Sequence, residues 1–350
     1  MPDILEPAID RKTREGELYE NLPDQKVRCF ACGHRCLIFE GKRGICGVRY
    51  NRQGKLYVPF GYVATVQCDP TEKKPFFHVL PGSRSLTFGM LGCDFHCSYC
   101  QNWDISQSLR DREASTDYTE ISPGKISAVG KHLGASLLVS SYNEPLITAE
   151  WAVEIFKTGK QNGFKTAFVS NGNGTLEVLK FIRPHVDCYK VDLKSMRQEN
   201  YRSLGGKVST VLETIGQLVH LGFWVEIVTL LVPGFNDSSE ELKEIGKFLV
   251  SVSPNIPWHV TAFHKDYKML EPDNTGASTL VRAAKIGKEC GLKFVYAGNL
   301  PGQVQDYEDT VCPSCDKTLI RRRGFQVFEN RVTAQGLCPF CQTKIPGIWK

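Results

Sequence analysis

The 350-residue chain has no long apolar run, no internal repeat and no low-complexity tract. Its most apolar stretch, 223–232, is interrupted by Glu226 and closed by Pro233, whereas a membrane span needs about 20 apolar residues. The first residues contain no basic stretch followed by an apolar run, so we expect no signal peptide. These absences predict a soluble, cytoplasmic protein that does not enter a membrane.

An excess of charge of one sign is also missing. Lys and Arg number 43 and Asp and Glu 38, which leaves a formal net charge of +5. So mild an excess does not indicate binding to nucleic acid. Hydrophobic residues at 41% and charged residues at 23% are typical of a globular protein with a substantial core.

What the chain does have is cysteine, fourteen in all. Disulfides are rare in the reducing cytosol, where clustered thiols usually bind metal or take part in catalysis. Cys68, Cys188 and Cys290 stand alone, and we expect them to be buried small hydrophobes. The other cysteines fall into three tight groups, at 29/32/36/46, 93/97/100 and 312/315/338/341.

Between the outer cysteine groups, short apolar runs alternate with helical patterns. Strands are predicted at 85–91, 136–142, 165–170, 188–193, 224–232, 258–263 and 293–297. Helix starts are indicated by Ser122-Pro123 and by the capping-box spacing of Ser238 and Glu241. This alternation predicts an α/β fold with a parallel sheet, open or closed as a barrel. In such folds the chemistry lies in the loops at the carboxyl ends of the strands.

The central cysteines, Cys93-x3-Cys97-x2-Cys100, directly follow the first of these strands. Three thiolates within eight residues can bind one face of an iron–sulfur cubane and leave one iron open. The alternatives are a zinc site completed by His96, or three cysteines packed in the core.

The octapeptide 93–100, Cys-Asp-Phe-His-Cys-Ser-Tyr-Cys, resembles the signature of the radical S-adenosylmethionine (SAM) superfamily. Tyr99 is the aromatic before the third cysteine, and the resemblance makes it a candidate cofactor-binding residue. The resemblance implies a partial (β/α)6 TIM-type barrel with a 4Fe–4S cluster on these cysteines. It also implies SAM on the open iron, an electron donor such as flavodoxin or ferredoxin, and a 5′-deoxyadenosyl radical that abstracts hydrogen. The cofactor would carry that chemistry, and the protein would supply binding and orientation.

Further residues are similar to SAM-binding segments of the superfamily. Asn143 and Glu144 end the second strand, and Glu144 would hold the SAM amino group; the alternative is an exposed loop glutamate. Ser170 and Asn171 end the third strand and would contact the ribose and carboxylate, although Asn-Gly is also a common turn pair.

The fourth strand ends in Asp192-Leu193-Lys194, which resembles the Asp-x-Lys of glycyl-radical-enzyme activases. Asp192 and Lys194 are therefore candidate catalytic and SAM-binding residues, with a buried ion pair as the alternative. His264, after the sixth strand, would either face the substrate or be a plain polar residue.

A narrower resemblance rests on the segments 69–75, 100–107, 258–264 and 297–299. With them the chain, from about Cys29 to Trp349, looks like the radical SAM enzyme of the AmmeMemoRadiSam system, a relative of pyruvate formate-lyase activase. That family implies Memo and Ammecr proteins as partners. At two positions this chain departs from the family pattern: Asp94 stands where the family has asparagine, and Asp104 stands where it has glutamate. The alternatives are a glycyl-radical-enzyme activase, or a zinc-ribbon scaffold or nucleic-acid-binding module without catalysis.

Both outer cysteine groups predict metal-stapled lobes. Cys312-x2-Cys315 and Cys338-x2-Cys341 have zinc-ribbon spacing, with rubredoxin-like iron as the alternative, and Arg321, Arg322 and Arg323 beside them are predicted to form an exposed face. The N-terminal group consists of Cys29, Cys32, Cys36 and Cys46. It could bind either zinc or a second iron–sulfur cluster, and His34 could replace one of its thiolates as a ligand. The predicted domains are 1–80, 81–305 and 306–350.

Overall fold

The computed structural model describes residues 9–114 and 116–350, and it begins with short antiparallel strands. These strands form sheets of order β1-β6-β5 and β2-β3-β4. Val27 and Ile38, which face inward from them, belong to the same hydrophobic core as the central sheet. The seven strands are β1 (Thr13–Glu15), β2 (Tyr19–Leu22), β3 (Lys26–Cys29), β4 (Leu37–Ile38), β5 (Tyr50–Arg52), β6 (Lys55–Pro59) and β7 (Tyr62–Val63).

The central sheet has eight strands in the order β16-β15-β14-β13-β12-β11-β9-β8. All neighbours from β9 to β16 pair in parallel, and β8 pairs antiparallel with β9. Since β8 and β16 are edge strands, the sheet is open rather than a closed barrel, and the predicted α/β class is confirmed. These strands are β8 (Thr65–Pro70), β9 (Arg84–Gly89), β11 (Ala135–Ser140), β12 (Lys165–Ser170), β13 (Cys188–Asp192), β14 (Trp224–Leu231), β15 (Trp258–Ala262) and β16 (Val295–Gly298), while β10 (Thr119–Glu120) pairs with β7.

The helices begin where the sequence predicts them. The Ser122 hydroxyl accepts a hydrogen bond from Lys125 N (3.2 Å), and that of Ser238 accepts one from Glu241 N (3.2 Å). The capping box of Ser238 and Glu241 is only half formed, because Glu241 accepts from the backbone N–H of Met196 (2.7 Å) instead. The helices are α1 (Trp103–Ser106), α2 (Pro123–His132), α3 (Ala149–Gln161), α4 (Leu176–Ile182), α5 (Gln198–Leu204), α6 (Val208–His220), α7 (Ser239–Val252) and α8 (Ala277–Glu289).

None of the helices in the described part of the chain has both the length and the apolar character needed to cross a bilayer. The predicted absence of a signal peptide concerns residues 1–8, which lie outside the described residues. The domain boundaries near 80 and 305 stay predictions.

A three-stranded antiparallel sheet forms the C-terminal lobe, in the order β17 (Thr310–Val311), β18 (Thr318–Arg323) and β19 (Gln326–Asn330). The prediction of three exposed arginines is wrong for Arg322, which is buried, whereas Arg321 and Arg323 are exposed. Successive side chains of a strand point to opposite faces, so Arg322 alone points inward. There it donates to the Phe77 carbonyl (2.7 Å) and to the Thr310 hydroxyl (2.8 Å).

Gly92 lies where the N-terminal lobe meets the loop of the central cysteines. Its φ of +88° is one that residues with a side chain rarely adopt. A Cβ at this position would lie 2.8 Å from Cγ1 of Val48 and 3.0 Å from the carbonyl oxygen of Cys46. The close approach of the two segments therefore requires glycine.

We expect Gly92→Ala to lower the free energy of unfolding by roughly 2–5 kcal/mol, through left-handed strain and overpacking together. Gly134→Ala is the matched control, because Gly134 has a φ of +68° but a Cβ added there would have no other atom within 4 Å. Gly134→Ala introduces only the left-handed strain, so we expect it to lower the free energy of unfolding by about 1–2 kcal/mol. Urea denaturation of both variants measures the difference, and equal losses would contradict the tight contact.

Candidate active site and metal centres

The central cysteines lie in the loop that leaves the carboxyl end of β9, as predicted. Cys97 is buried, while Cys93 and Cys100 are half-buried. Phe95 N–H donates to Sγ of Cys93 (3.4 Å). His96 is exposed, and its ring lies against the position where a Cβ of Gly205 would be. The structure thus does not bring His96 together with the three cysteines, as a mixed zinc site would need.

The distances between sulfur atoms distinguish the C-terminal cysteine group from the other two groups. The C-terminal sulfurs all lie within 4.8 Å of one another, and the pairs Cys312–Cys341 and Cys315–Cys338 are 3.6 and 3.7 Å apart. Four sulfurs at 2.3 Å from one tetrahedral zinc ion would be roughly 3.8 Å apart, so this group fits a single metal ion. Within residues 9–114 and 116–350, no other set of three potential ligand atoms is so compact.

Asp94, which the sequence analysis did not assign to the site, is fully buried beside Cys93. Its carboxylate accepts hydrogen bonds from the side-chain amides of Asn171 (2.7 Å) and Asn173 (2.8 Å). His34 contacts the Asp94 carbonyl oxygen (3.2 Å), so this histidine meets the cysteine loop rather than replacing a thiolate of its own lobe. Asp94 therefore joins three segments at the carboxyl edge of the sheet.

Glu144 is only 2% exposed, which excludes the alternative of an exposed loop glutamate. Its carboxylate accepts from the Ser170 hydroxyl (2.7 Å) and from the backbone N–H of Asn171 (2.7 Å). Burial, together with the charge of Asp94, raises the pKa of Glu144 to about 8. A cation placed beside this carboxylate would lower that pKa and be bound in return.

Asn143 braces the same edge, because its side-chain oxygen accepts from Met90 N–H (3.1 Å) at the end of β9. Tyr99 is buried with its ring edge-on to Phe235 and Phe263. These contacts hold both predicted cofactor-binding residues in place around the cysteine loop.

The Asp192–Lys194 pair forms at the end of β13, with Nζ of Lys194 3.5 Å from the carboxylate. The same carboxylate also pairs with Lys190. Burial works against the charge of Lys194, but the carboxylate of Asp192 and the ionisable groups of Cys97, Tyr99 and Tyr201 together outweigh burial and raise the pKa of Lys194. Lys194 is thus a fixed cation near Cys97 and Tyr99, whose charges also act on it.

A cavity of about 330 Å³ opens next to the cysteine loop, between the last strands and the C-terminal lobe. Gln101, directly after Cys100, and His264 meet at its wall, with the Gln101 amide 2.8 Å from Nε2 of His264. Phe77 and Phe325 supply apolar surface. Its volume and mixed lining are typical of a small-molecule site.

The remaining cysteines fall into two cases. Cys29, Cys32, Cys36 and Cys46 line one small cavity. Of the lone cysteines, Cys188 is fully buried as predicted, whereas Cys68 and Cys290 are only half-buried.

Comparison with known proteins places the site in a family context. Residues 88–249 match the family described as the Radical SAM superfamily. An uncharacterized protein of Methanocaldococcus jannaschii is 36% identical over 335 residues, 95% of this chain and 98% of its own length. The pyruvate formate-lyase-activating enzyme of Staphylococcus epidermidis is 28% identical over 200 residues, 53% of this chain and 78% of its own.

Among solved structures, a radical SAM methyltransferase from Sphaerobacter thermophilus superposes with a TM-score of 0.45 at 12% identity. The alignment covers 91% of this chain and 86% of the other.

Asp94→Asn should lower the free energy of unfolding by about 1–3 kcal/mol. Asparagine offers one acceptor oxygen and an amide N–H₂, so it would face the amide donors of Asn171 and Asn173 with one donor unmatched. Asp117→Asn removes the same charge from an exposed position and should change little. Denaturant unfolding of both variants tests this, and an unchanged stability of Asp94→Asn would rule out the bracing role.

Proposed function

Residues 88–249 match the radical SAM superfamily, and on that premise we propose that the chain cleaves SAM reductively and uses the resulting radical to abstract hydrogen from a substrate. One observation carries this proposal. Cys93, Cys97 and Cys100 occupy a single loop at the carboxyl end of β9, spaced more widely than ligands of one ion. Glu144 follows the adjacent strand β11, and Lys194 follows β13 at the same edge of the sheet.

The donor set fits a 4Fe–4S cluster with SAM on its open iron, because the loop offers three soft thiolates and no fourth. When bound, this pair would supply a one-electron cleavage of the sulfonium bond. The protein would bind the cluster and SAM, orient them and exclude water from the site.

SAM has an ammonium and a carboxylate, and the site has one ionisable side chain that could pair with each. We assign the ammonium to Glu144, a buried carboxylate that gains a partner when a cation arrives. We assign the carboxylate to Lys194, held on the other side of the loop by Asp192. Ser170 and Asn171 then act partly through Glu144, whose oxygens they already contact.

The substrate would enter the cavity beside Gln101 and His264, since it adjoins the last cysteine of the loop. Its apolar surface and its polar side chains, Gln101 and His264 among them, suit a small organic molecule or a protein side chain. The C-terminal lobe contributes Phe325 to this wall, so substrate choice would depend on a part of the chain beyond the radical SAM domain.

We favour a reaction shared with Memo and Ammecr partner proteins over activation of a glycyl-radical enzyme. The resemblance to the family that implies those partners extends from about Cys29 to Trp349, whereas the activating enzymes match only 200 residues. Activation of a glycyl-radical enzyme remains the second candidate, because those relatives are activating enzymes and Asp192-Leu193-Lys194 resembles their motif. A glycyl radical signal in a mixture with a candidate partner enzyme, seen by electron paramagnetic resonance, would reverse this preference.

Cys97→Ala should abolish formation of 5′-deoxyadenosine from SAM in the anaerobically reconstituted, reduced protein, because two thiolates would no longer hold the cluster. Cys290→Ala is the matched control, since Cys290 stands apart from all three groups, and it should retain the activity. The nucleoside is measured by chromatography. Continued cleavage by the Cys97 variant would refute the proposed function.

Lys194→Met should weaken SAM binding by about 10- to 100-fold, as expected for loss of a hydrogen bond to a charged group. Decarboxylated SAM lacks the group that Lys194 would hold, so its affinity should be the same in both proteins. Equilibrium binding of the two compounds to both proteins gives the test. A similar loss for both compounds would assign Lys194 a general structural role.

A further inference from the structure

We propose that Cys29, Cys32, Cys36 and Cys46 hold a second, polynuclear iron–sulfur cluster rather than a single zinc ion. Cys29, Cys32 and Cys46 are buried and Cys36 is half-buried, and all four line one cavity. The inference concerns a site other than the radical SAM centre and does not depend on the reaction proposed there.

The sulfur–sulfur distances in the C-terminal cysteine group can be compared with those in the N-terminal group. Its sulfurs are 3.6 and 3.7 Å apart in two pairs, as one tetrahedral ion requires. No three of the N-terminal sulfurs lie within 4.8 Å of one another in the described part of the chain. A single ion at 2.3 Å from each sulfur could not bridge so open a set, whereas in a cluster the thiolates bind different iron atoms.

Hydrogen-bond donors are already directed at these sulfurs. Ile45 N–H donates to Sγ of Cys36 (3.5 Å), and Nη1 of Arg49 lies 3.8 Å from Sγ of Cys29. Arg49 is 1% exposed, and its charge is shared with the buried carboxylate of Glu150. A buried guanidinium at a sulfur tunes the potential of a bound cluster.

The position of the site also favours a redox group over a structural staple. The carbonyl oxygen of Cys46 lies against Gly92, the residue before Cys93, and His34 contacts the Asp94 carbonyl oxygen. The four-cysteine cavity therefore adjoins the central cysteine loop through direct contacts. A second cluster at this position would pass an electron to the cluster on the central cysteine loop.

Metal and sulfide analysis of the anaerobically prepared full-length protein tests the proposal. We expect about six to eight irons with matching sulfide and about one zinc per chain. Removing Cys93, Cys97 and Cys100 together by alanine substitution should leave about two to four irons and the visible iron–sulfur chromophore. Changing both Cys312 and Cys341 to alanine should remove the zinc and leave the iron unchanged.

About four irons and two zincs in the unsubstituted protein would overturn the proposal, as would loss of all iron from the triple variant. Failure of the proposed function gives a different result, in which the triple substitution leaves the iron content unchanged. Since the native protein alone discriminates between the two metals at the N-terminal site, the outcome does not depend on whether the variants fold.

Discussion

The site depends on one buried carboxylate. Asp94 accepts hydrogen bonds from Asn171 and Asn173, and its backbone oxygen meets His34 of the N-terminal lobe. Asn171 in turn donates its N–H to Glu144. A buried carboxylate without such donors would cost several kcal/mol in desolvation. The network therefore fixes the ends of β9, β11 and β12 and the adjoining lobe in one arrangement.

That arrangement explains why two cysteine groups lie side by side. Gly92 lets the Cys46 carbonyl oxygen approach the start of the Cys93 loop, and the Asn173 carbonyl accepts from Gly33 N–H (2.8 Å) on the other side. A small lobe of two- to five-residue strands cannot bury enough apolar surface to be stable by itself. Its contacts with the central sheet and its loops thus supply the order that its own core lacks.

The sequence was most informative for strands buried on both faces. The run centred on Ala167, Phe168 and Val169 predicts its strand, 165–170, without error, because both sides of a parallel strand meet helices or core. Strand β8 was missed, since its residues are half-buried and polar as often as apolar. Asp94 was interpreted only as a departure from a family pattern. Its role depends on asparagines 77 and 79 positions away, a pairing that no local pattern reveals.

The C-terminal lobe is attached through a second buried polar network. Glu226 of β14 accepts from the backbone N–H of His78 (3.0 Å), and the His78 ring contacts the Tyr296 hydroxyl (2.7 Å) and the Pro346 carbonyl oxygen (2.6 Å). Burial lowers the pKa of His78 to about 4, so the imidazole stays neutral at physiological pH and the attachment does not respond to mild acidification. Arg322 reaches the same region from β18.

A lobe this small needs its metal to stay folded, and the same lobe supplies Phe325 to the cavity wall. A metal on Cys312, Cys315, Cys338 and Cys341 would therefore shape the proposed substrate cavity from a distance, without taking part in the chemistry. Its removal would loosen one wall while leaving the cysteine loop after β9 intact. In the proposed reaction, the central sheet and the C-terminal lobe would thus form the substrate cavity together, while the cysteine loop would hold the group that cleaves SAM.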